Sequence, residues 1–409
     1  MPIKDPVPPP ISPILSFIAC RVLTIQNKVF FPDTVILHPK IECKNFIDFI
    51  RQKSYLLTTF ETDCAWAYFI VQPLIATTMR PKTLVICTAI LTALFFSGCN
   101  KKTVIGLLMD SYETERWERD KDLFTSHVSE LGGEVITDVA NGDAAIQFEQ
   151  AKKMLDSGID ALVIVAVDQN EAAKIVELAH DYEVKVLSYD RLIRNCDLDL
   201  YISFDNVEVG TLQADYLTSI CPQGNYALIG GAVTDNNSFL LKIGQMNVLQ
   251  PLVERGDIRI VYDQFASRWT EEEGYRLMKE CLDLNHEIDA VIAGNDKLVT
   301  GALRAIHEKV IDRTIYIAGQ DAELMACQRI VGGEQTMTVY KPIEAIAAKA
   351  ADFAMQLASG DKFTNLNLSV NNGKRMVPAV LLPPMIVNKE TIRLTVVADG
   401  YLKENKIYE

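Results

Sequence analysis

Lys185-Val186-Leu187-Ser188-Tyr189-Asp190-Arg191 is an apolar run that ends in an acid beside a base. Such a run reads as a buried parallel strand. It carries Asp190 and Arg191 to the carboxyl end of the strand, where open α/β sheets bind ligands. Three later segments finish in the same way: residues 290–295 end in Asn295, 315–321 in Asp321 and 336–341 in Lys341. Strands that repeatedly end in hydrogen-bonding side chains predict one polar crevice assembled from many strand tips. Its chemistry would be recognition of a small polar molecule. No Walker A loop, G-x-S-x-G elbow or H-E-x-x-H pair occurs. Met109-Asp110-Ser111-Tyr112 stands where a dinucleotide fingerprint would follow the first strand, and Gly230-Gly231 reads as tight packing. His38, His127, His180, His286 and His307 are scattered, so nothing here argues for an enzyme, a cofactor or a metal site.

The elements that must hold those tips alternate along the chain. Apolar runs at 104–110, 134–140, 161–166, 184–190 and 200–204 are separated by helical stretches, with Gly132-Gly133 closing the first helix. A second series follows at 226–230, 258–265, 290–295, 315–319 and 336–340, and then a helix over 343–359 and a segment over 377–387. This predicts an α/β protein of two Rossmann-like, doubly wound lobes in series, with chain left over for crossovers and a ligand between the lobes. Asp205-Asn206 reads as a hinge or helix cap, and Glu271-Glu272-Glu273 as a solvated helix start.

The totals agree with this organisation. A chain of 409 residues exceeds one small core. Its net charge is −14, and the first 99 residues carry +3, leaving −17 for the rest. A surface that acidic disfavours nucleic acid, which requires a basic footprint. Beyond Asn100 the cysteines are Cys196, Cys221, Cys281 and Cys327, without a CxxC pair; they read as scattered core thiols, with a disulfide left open.

The first hundred residues are of a different kind. Residues 1–78 are Pro-rich at first and then show no sustained period. Met79-Arg80-Pro81-Lys82 is a short basic stretch, 83–98 is uncharged and mostly apolar, and Ser97-Gly98-Cys99 precedes polar Asn100-Lys101-Lys102. The apolar core of about 15 residues is shorter than the roughly 20 needed to span a bilayer, which favours a signal peptide over 79–99. Small residues directly before Cys99 resemble the lipobox of bacterial lipoproteins, which implies cleavage there, acylation of Cys99 and a lipid anchor as the one membrane attachment. A signal peptide works only at the start of a chain. Translation is therefore expected to begin at Met79, with 1–78 a non-native or unstructured extension.

From Thr103 to about Leu402 the chain resembles the periplasmic xylose-binding proteins of ABC sugar importers, within the type I periplasmic sugar-binding family. The resemblance rests on collinear stretches: Glu115-Arg116-Trp117, Val186 through Arg191, Tyr201-Ile202-Ser203-Phe204-Asp205-Asn206, Pro222-Gln223-Gly224-Asn225-Tyr226, Asp235-Asn236-Asn237, Gly319-Gln320-Asp321-Ala322 and Gln335 through Pro342. It implies two lobes joined by three hinge strands, closing on one monosaccharide that is handed to an inner-membrane permease. The lobes are expected over 103–207 plus about 342–373, and about 208–341 plus 374–400. By position, the sugar contacts would be Arg116, Trp117, Asp190, Arg191, Asn237, Trp269, Asn295, Asp321 and Lys341.

These residue types suit a sugar. A pyranose has two C–H faces and a rim of hydroxyls that both donate and accept. Trp117 and Trp269, the two tryptophans after Cys99, can plate the faces. Acceptor carboxylates, donor cations and bifunctional amides can satisfy the rim. D-xylose or a close pentose is the expected ligand, in a periplasmic or cell-envelope location. A sugar sensor signalling to a chemoreceptor or kinase is the alternative reading. A repressor core of the same fold is disfavoured by the secretion signal and by the lack of a helix-turn-helix before Thr103.

Overall fold

The computed structural model describes residues 102–112, 116–284, 287–309, 313–361, 363, 366 and 368–409. The extension over 1–78, the signal segment over 79–99 with Cys99, Glu115 and His286 lie outside the described residues.

The first lobe is built from β1 (Val104–Met109), α1 (Arg116–Glu130), β2 (Glu134–Val139), α2 (Ala144–Asp156), β3 (Ala161–Ile164), α3 (Ala173–Asp181), β4 (Lys185–Tyr189) and β5 (Leu200–Phe204). The second follows as α4 (Asn206–Ile220), β6 (Gly224–Ala232), α5 (Asn236–Glu254), β7 (Ile258–Ala266), α6 (Glu271–Asp283), β8 (Ala290–Ala293), α7 (Asp296–Glu308), β9 (Tyr316–Ala318), α8 (Leu324–Gly332) and β10 (Thr338–Tyr340). The chain then returns to the first lobe for α9 (Ile343–Ser359), β11 (Leu368–Asn371) and β12 (Met376–Leu382). It ends beside the second with β13 (Met385–Val387), a π turn at Arg393–Val397 and α10 (Glu404–Ile407).

The first sheet has the order β11-β12-β5-β4-β3-β1-β2 and is parallel except for the β11–β12 edge pair. Its central strands are continuous apolar runs because helices cover both faces: all four residues of β3 are buried, as are five of the six in β1. On one face α9 lays down Ile346, Ala347, Ala350, Ala351 and Ala354, all fully buried, against Val163, Leu187 and Ile202. This i, i+4 stripe of small side chains is what lets a helix sit close to a sheet. The second sheet runs β7-β6-β8-β9 in parallel. A single bridge from Ala318 to Met337 leads on to β10, which pairs antiparallel with β13. Helices α4 and α5 cross backbone to backbone: a Cβ on Gly244 would lie 2.0 Å from the Val207 carbonyl oxygen, and one on Gly210 equally close to that of Leu241.

The chain passes between lobes three times, at 205, at 341–342 and at 383–384. The last crossing differs from the expected boundary. Residues 374–400 do not all belong to the second lobe, because β12 pairs in parallel with β5, Ala379 opposite Tyr201 and Leu382 opposite Phe204. That pairing buries Val377 and Ala379 in the first core, so the crossover comes about ten residues later than expected.

Candidate ligand-binding site

Two adjacent residues at the start of α1 open the site. Arg116 is 3% exposed and Trp117 5%. One turn on, Asp120 accepts from Arg116 Nε at 2.9 Å and from Nη2 at 3.3 Å, and it also accepts the Tyr189 hydroxyl from the end of β4. The guanidinium is thereby fixed from behind. Its Nη1 faces Asp190 Oδ2 at 3.1 Å and Asp321 Oδ1 at 3.8 Å, and its Cζ lies 4.4 Å from the centre of the Trp117 ring.

Asp190 has the left-handed backbone angle φ 61°. A non-glycine residue in that region is held there by its surroundings. The Asp190 N–H donates to Ile202 O at 2.7 Å, and its carbonyl accepts from Ser203 Oγ at 2.7 Å and Tyr201 OH at 3.2 Å. Arg191 is gripped by acids of both lobes. Its Nε lies 3.0 Å from Asp235 Oδ2, and its Nη1 donates to Asp110 Oδ2 at 2.7 Å and to the Ala166 carbonyl at 2.9 Å.

The second lobe closes the site with turns that follow its strands. After β6, Asp235 caps α5 by accepting from Asn237 N at 2.9 Å, and its other oxygen accepts from Trp269 Nε1 at 3.2 Å. The Trp269 indole lies on bare backbone: a Cβ on Gly231 would fall 1.9 Å from its ring. Gly230-Gly231 is thus a packing feature. Asn295 spends its oxygen on the cap of α7, accepting from Leu298 N at 3.0 Å, which leaves its amide hydrogens for the site. Asp321, with φ 90°, has its Oδ1 3.4 Å from Lys341 Nζ. Behind these, Asp296 ties the second-lobe tips together by accepting from Gln335 Nε2 at 2.8 Å, Thr338 Oγ1 at 2.9 Å and Glu323 N at 3.1 Å.

All nine residues expected from the sequence line a single pocket between the lobes, with about 320 Å³ of atom-free space including its mouth. Asp235 and Gln320 line it as well and were not anticipated. Asp235 is disguised in the sequence, because an acid two residues before a helix position reads as a cap. Asp120 stands at i+4 from Arg116, a spacing that signals an ion pair in hindsight.

Four buried acceptors of the lining, Asp190 Oδ2, Asn237 Oδ1, Asp321 Oδ1 and Gln320 Oε1, take no hydrogen bond from the described residues. Buried polar atoms without such partners are uncommon, and here they converge on one space. The charges of the lining balance in number, Arg116, Arg191 and Lys341 against Asp190, Asp235 and Asp321, with Asp110 and Asp120 behind them as two further acids. Burial alone would raise the Asp190 carboxyl, but Arg116, Lys341 and Arg191 outweigh it and hold it below its ordinary value. Burial wins at Asp235 and Asp120, whose carboxyls are raised in spite of Arg191 and Arg116. The arrangement can donate to and accept from a neutral polyol at many points. Among the described residues, no group of His, Cys, Asp and Glu could hold a metal ion.

Two α/β lobes, three crossings and a polar cleft between the lobes define a type I periplasmic binding protein. Residues 105–362 match the model of the periplasmic binding protein domain. The chain is 42% identical over 319 residues to the D-xylose-binding periplasmic protein of Haemophilus influenzae, covering 78% of this chain and 96% of that one. It is 41% identical over 325 residues to the D-xylose-binding periplasmic protein of Escherichia coli, covering 79% and 98%. Among solved structures, a carbohydrate transporter solute-binding protein from Chloroflexus aurantiacus in complex with D-glucose superposes with a TM-score of 0.70 at 27% identity, covering 75% of this chain and 98% of that one. The chain belongs to the periplasmic binding protein family, whose members are solute receptors and not enzymes.

Proposed function

We propose that this protein is the receptor of a sugar importer, capturing D-xylose or a closely related pentose between its lobes and handing it to an ABC permease. The observation that carries the reading is the convergence on one cleft of buried acceptors that take no hydrogen bond from the described residues, together with Arg116, Arg191 and Lys341. The two D-xylose-binding relatives, similar over nearly their whole length, support the choice of sugar. In this reading the hydroxyl rim of the sugar is met by Asp190, Asp321, Asn237 and Asn295 together with the three cations. Trp269 plates one C–H face. Trp117, backed by Arg116, forms the wall of the first lobe. Hydrogen bonds to charged groups contribute about 1.5–3 kcal/mol each, and a sugar lacking the matching hydroxyl leaves a buried charge unpaired, which is the source of selectivity.

Residues Lys101–Glu409 form a compact unit of their own, so the test can be made on that unit, where Trp117 and Trp269 are the only tryptophans. Fluorescence titration with xylose, ribose, arabinose, glucose and galactose should give a saturable change with xylose at the lowest concentration. No response to any sugar would sink the reading.

The placement of the protein belongs to the same proposal. It is exported by the segment over 79–99, held at the envelope by acylated Cys99, and translated from Met79. Mass analysis of the native N-terminus should find a lipid-modified peptide beginning at Cys99. Native peptides from before Met79 would refute the start site.

A further inference from the structure

Four consecutive residues of the second lobe, 234–237, each contact the first lobe. The Thr234 carbonyl accepts from Gln169 N at 2.9 Å. Asp235 Oδ2 lies 3.0 Å from Arg191 Nε. Asn236 Oδ1 accepts from Arg194 Nη1 at 3.3 Å. Asn237 Nδ2 donates to the Asp190 carbonyl at 3.1 Å and to Asp190 Oδ1 at 3.0 Å. The receiving residues come from two neighbouring loops of the first lobe, after β3 and after β4, which are joined by the bond from Arg194 N to Gln169 O at 2.7 Å. The turn before α5 and the first two residues of that helix therefore dock onto one prepared edge.

Two members of this set stand apart from the ligand. Arg194 and Asn236 do not line the pocket, although Asp190, Arg191, Asp235 and Asn237 beside them do. We propose that residues 234–237 are the latch of lobe closure, and that the Arg194–Asn236 pair sets the receptor's affinity without touching the sugar. These two are positioning residues. The inference rests on the sugar-receptor reading for its ligand but not for its geometry. A contact between protein groups favours the closed state equally whatever fills the cleft. Apparent affinity scales with the population of the binding-competent state, so weakening the pair must lower affinity for every sugar by one common factor and must act on release.

The test uses Arg194→Ala, Asn236→Ala and Asn236→Asp. Arg194 is partly exposed, and its backbone bond to Gln169 survives truncation. Asn236 is the first residue of α5, where an acid favours the helix dipole, so the aspartate variant should fold at least as well as the parent. Stopped-flow and equilibrium titrations with the panel of sugars should show that both alanine variants lose about five- to tenfold in affinity, the scale of one partly exposed hydrogen bond of ordinary strength. The loss should be equal for every sugar bound and should lie in the release rate. Asn236→Asp should gain affinity and release more slowly, and added salt should erase the gain. Unchanged affinities, or losses that differ from sugar to sugar, would overturn the latch. If the parent binds none of the sugars, the sugar reading falls and the latch is judged by small-angle scattering of the ligand-free proteins. Asn236→Asp should then be more compact than the parent and Arg194→Ala less so, and equal radii would overturn it.

Discussion

Asn237 and Asp190, 47 residues apart and on opposite lobes, are joined by two hydrogen bonds from one amide, Nδ2 to the Asp190 carbonyl at 3.1 Å and to Oδ1 at 3.0 Å. One oxygen of Asp190 is thus committed to closure. The other, Oδ2, is ion-paired with Arg116 at 3.1 Å yet accepts no hydrogen bond from the described residues. The same carboxylate reports that the lobes have met and offers an acceptor to what lies between them.

Asp190→Asn separates these roles. Asparagine tolerates the left-handed backbone that Asp190 adopts, so the fold should persist, with a lower melting temperature because the buried pair with Arg116 is lost. Arg116 would lose the closer of its two cleft acids, and affinity for sugar should fall by roughly 10–100-fold, the range of one charge-assisted bond. Calorimetric titration checks this, and unchanged affinity would remove Asp190 from the site.

Gly231→Ala should act on Trp269 alone. The backbone at Gly231 is not left-handed, so alanine carries no conformational penalty there, but its methyl would lie 1.9 Å from the indole. The ring must move off the pocket wall. Sugar affinity should drop at least about tenfold, and the emission of Trp269 should shift in the empty protein. A displaced emission with full affinity would show that the indole is not a ligand plate.

Asp296 makes stability depend on pH in the less usual direction. Burial, with Glu323 beside it, pushes its carboxyl up to about 8. Between an unfolded value of about 4 and that folded value, the native state holds a proton that the unfolded chain has released, so this group's contribution is complete at low pH and is lost as pH rises toward 8. Asp190, held low, works the other way: its stabilisation is present above about pH 4 and disappears as pH falls below it. Urea unfolding of the parent and of Asp296→Asn at pH 5 and pH 8.5 isolates the first effect. The stability difference should shift in favour of the variant at the higher pH by at least about 1 kcal/mol. A difference that does not change would mean that Asp296 is ionised in the fold.

The thiols should be silent in the native protein. Cys196, Cys221, Cys281 and Cys327 are all buried, and burial pushes the Cys196 and Cys281 thiols up to about 12. Only the thiolate reacts readily. Within the unit Lys101–Glu409, a thiol reagent at pH 8 should therefore label none of the four until denaturant is added and all four afterwards. Fewer than four after denaturation without reductant would reveal a disulfide.

The alternation of strands and helices was legible because a parallel sheet covered on both faces must be built from continuous apolar runs. Residues 161–164 and 186–189 declare such strands without help from their neighbours. The strand-tip residues Asp190, Asn295, Asp321 and Lys341 were legible for the same reason, since the carboxyl end of a parallel strand is where a sheet presents its side chains. Arg116, Trp117, Asn237 and Trp269 came from resemblance to a known family, because nothing local separates a ligand residue at the start of a helix from a packing one.

Other features were decided by contacts distant in sequence. Met376–Leu382 contains Pro378 and reads as a leftover segment. Only its parallel register with Leu200–Phe204 makes it a strand of the first lobe. Asp235 satisfies a helix cap by itself, and nothing beside it reveals that Arg191 and Trp269 converge on its second oxygen. A local pattern determines what a residue can bond. Which partner takes up that capacity depends on which surface the folded chain brings opposite, and here that surface belongs to the other lobe.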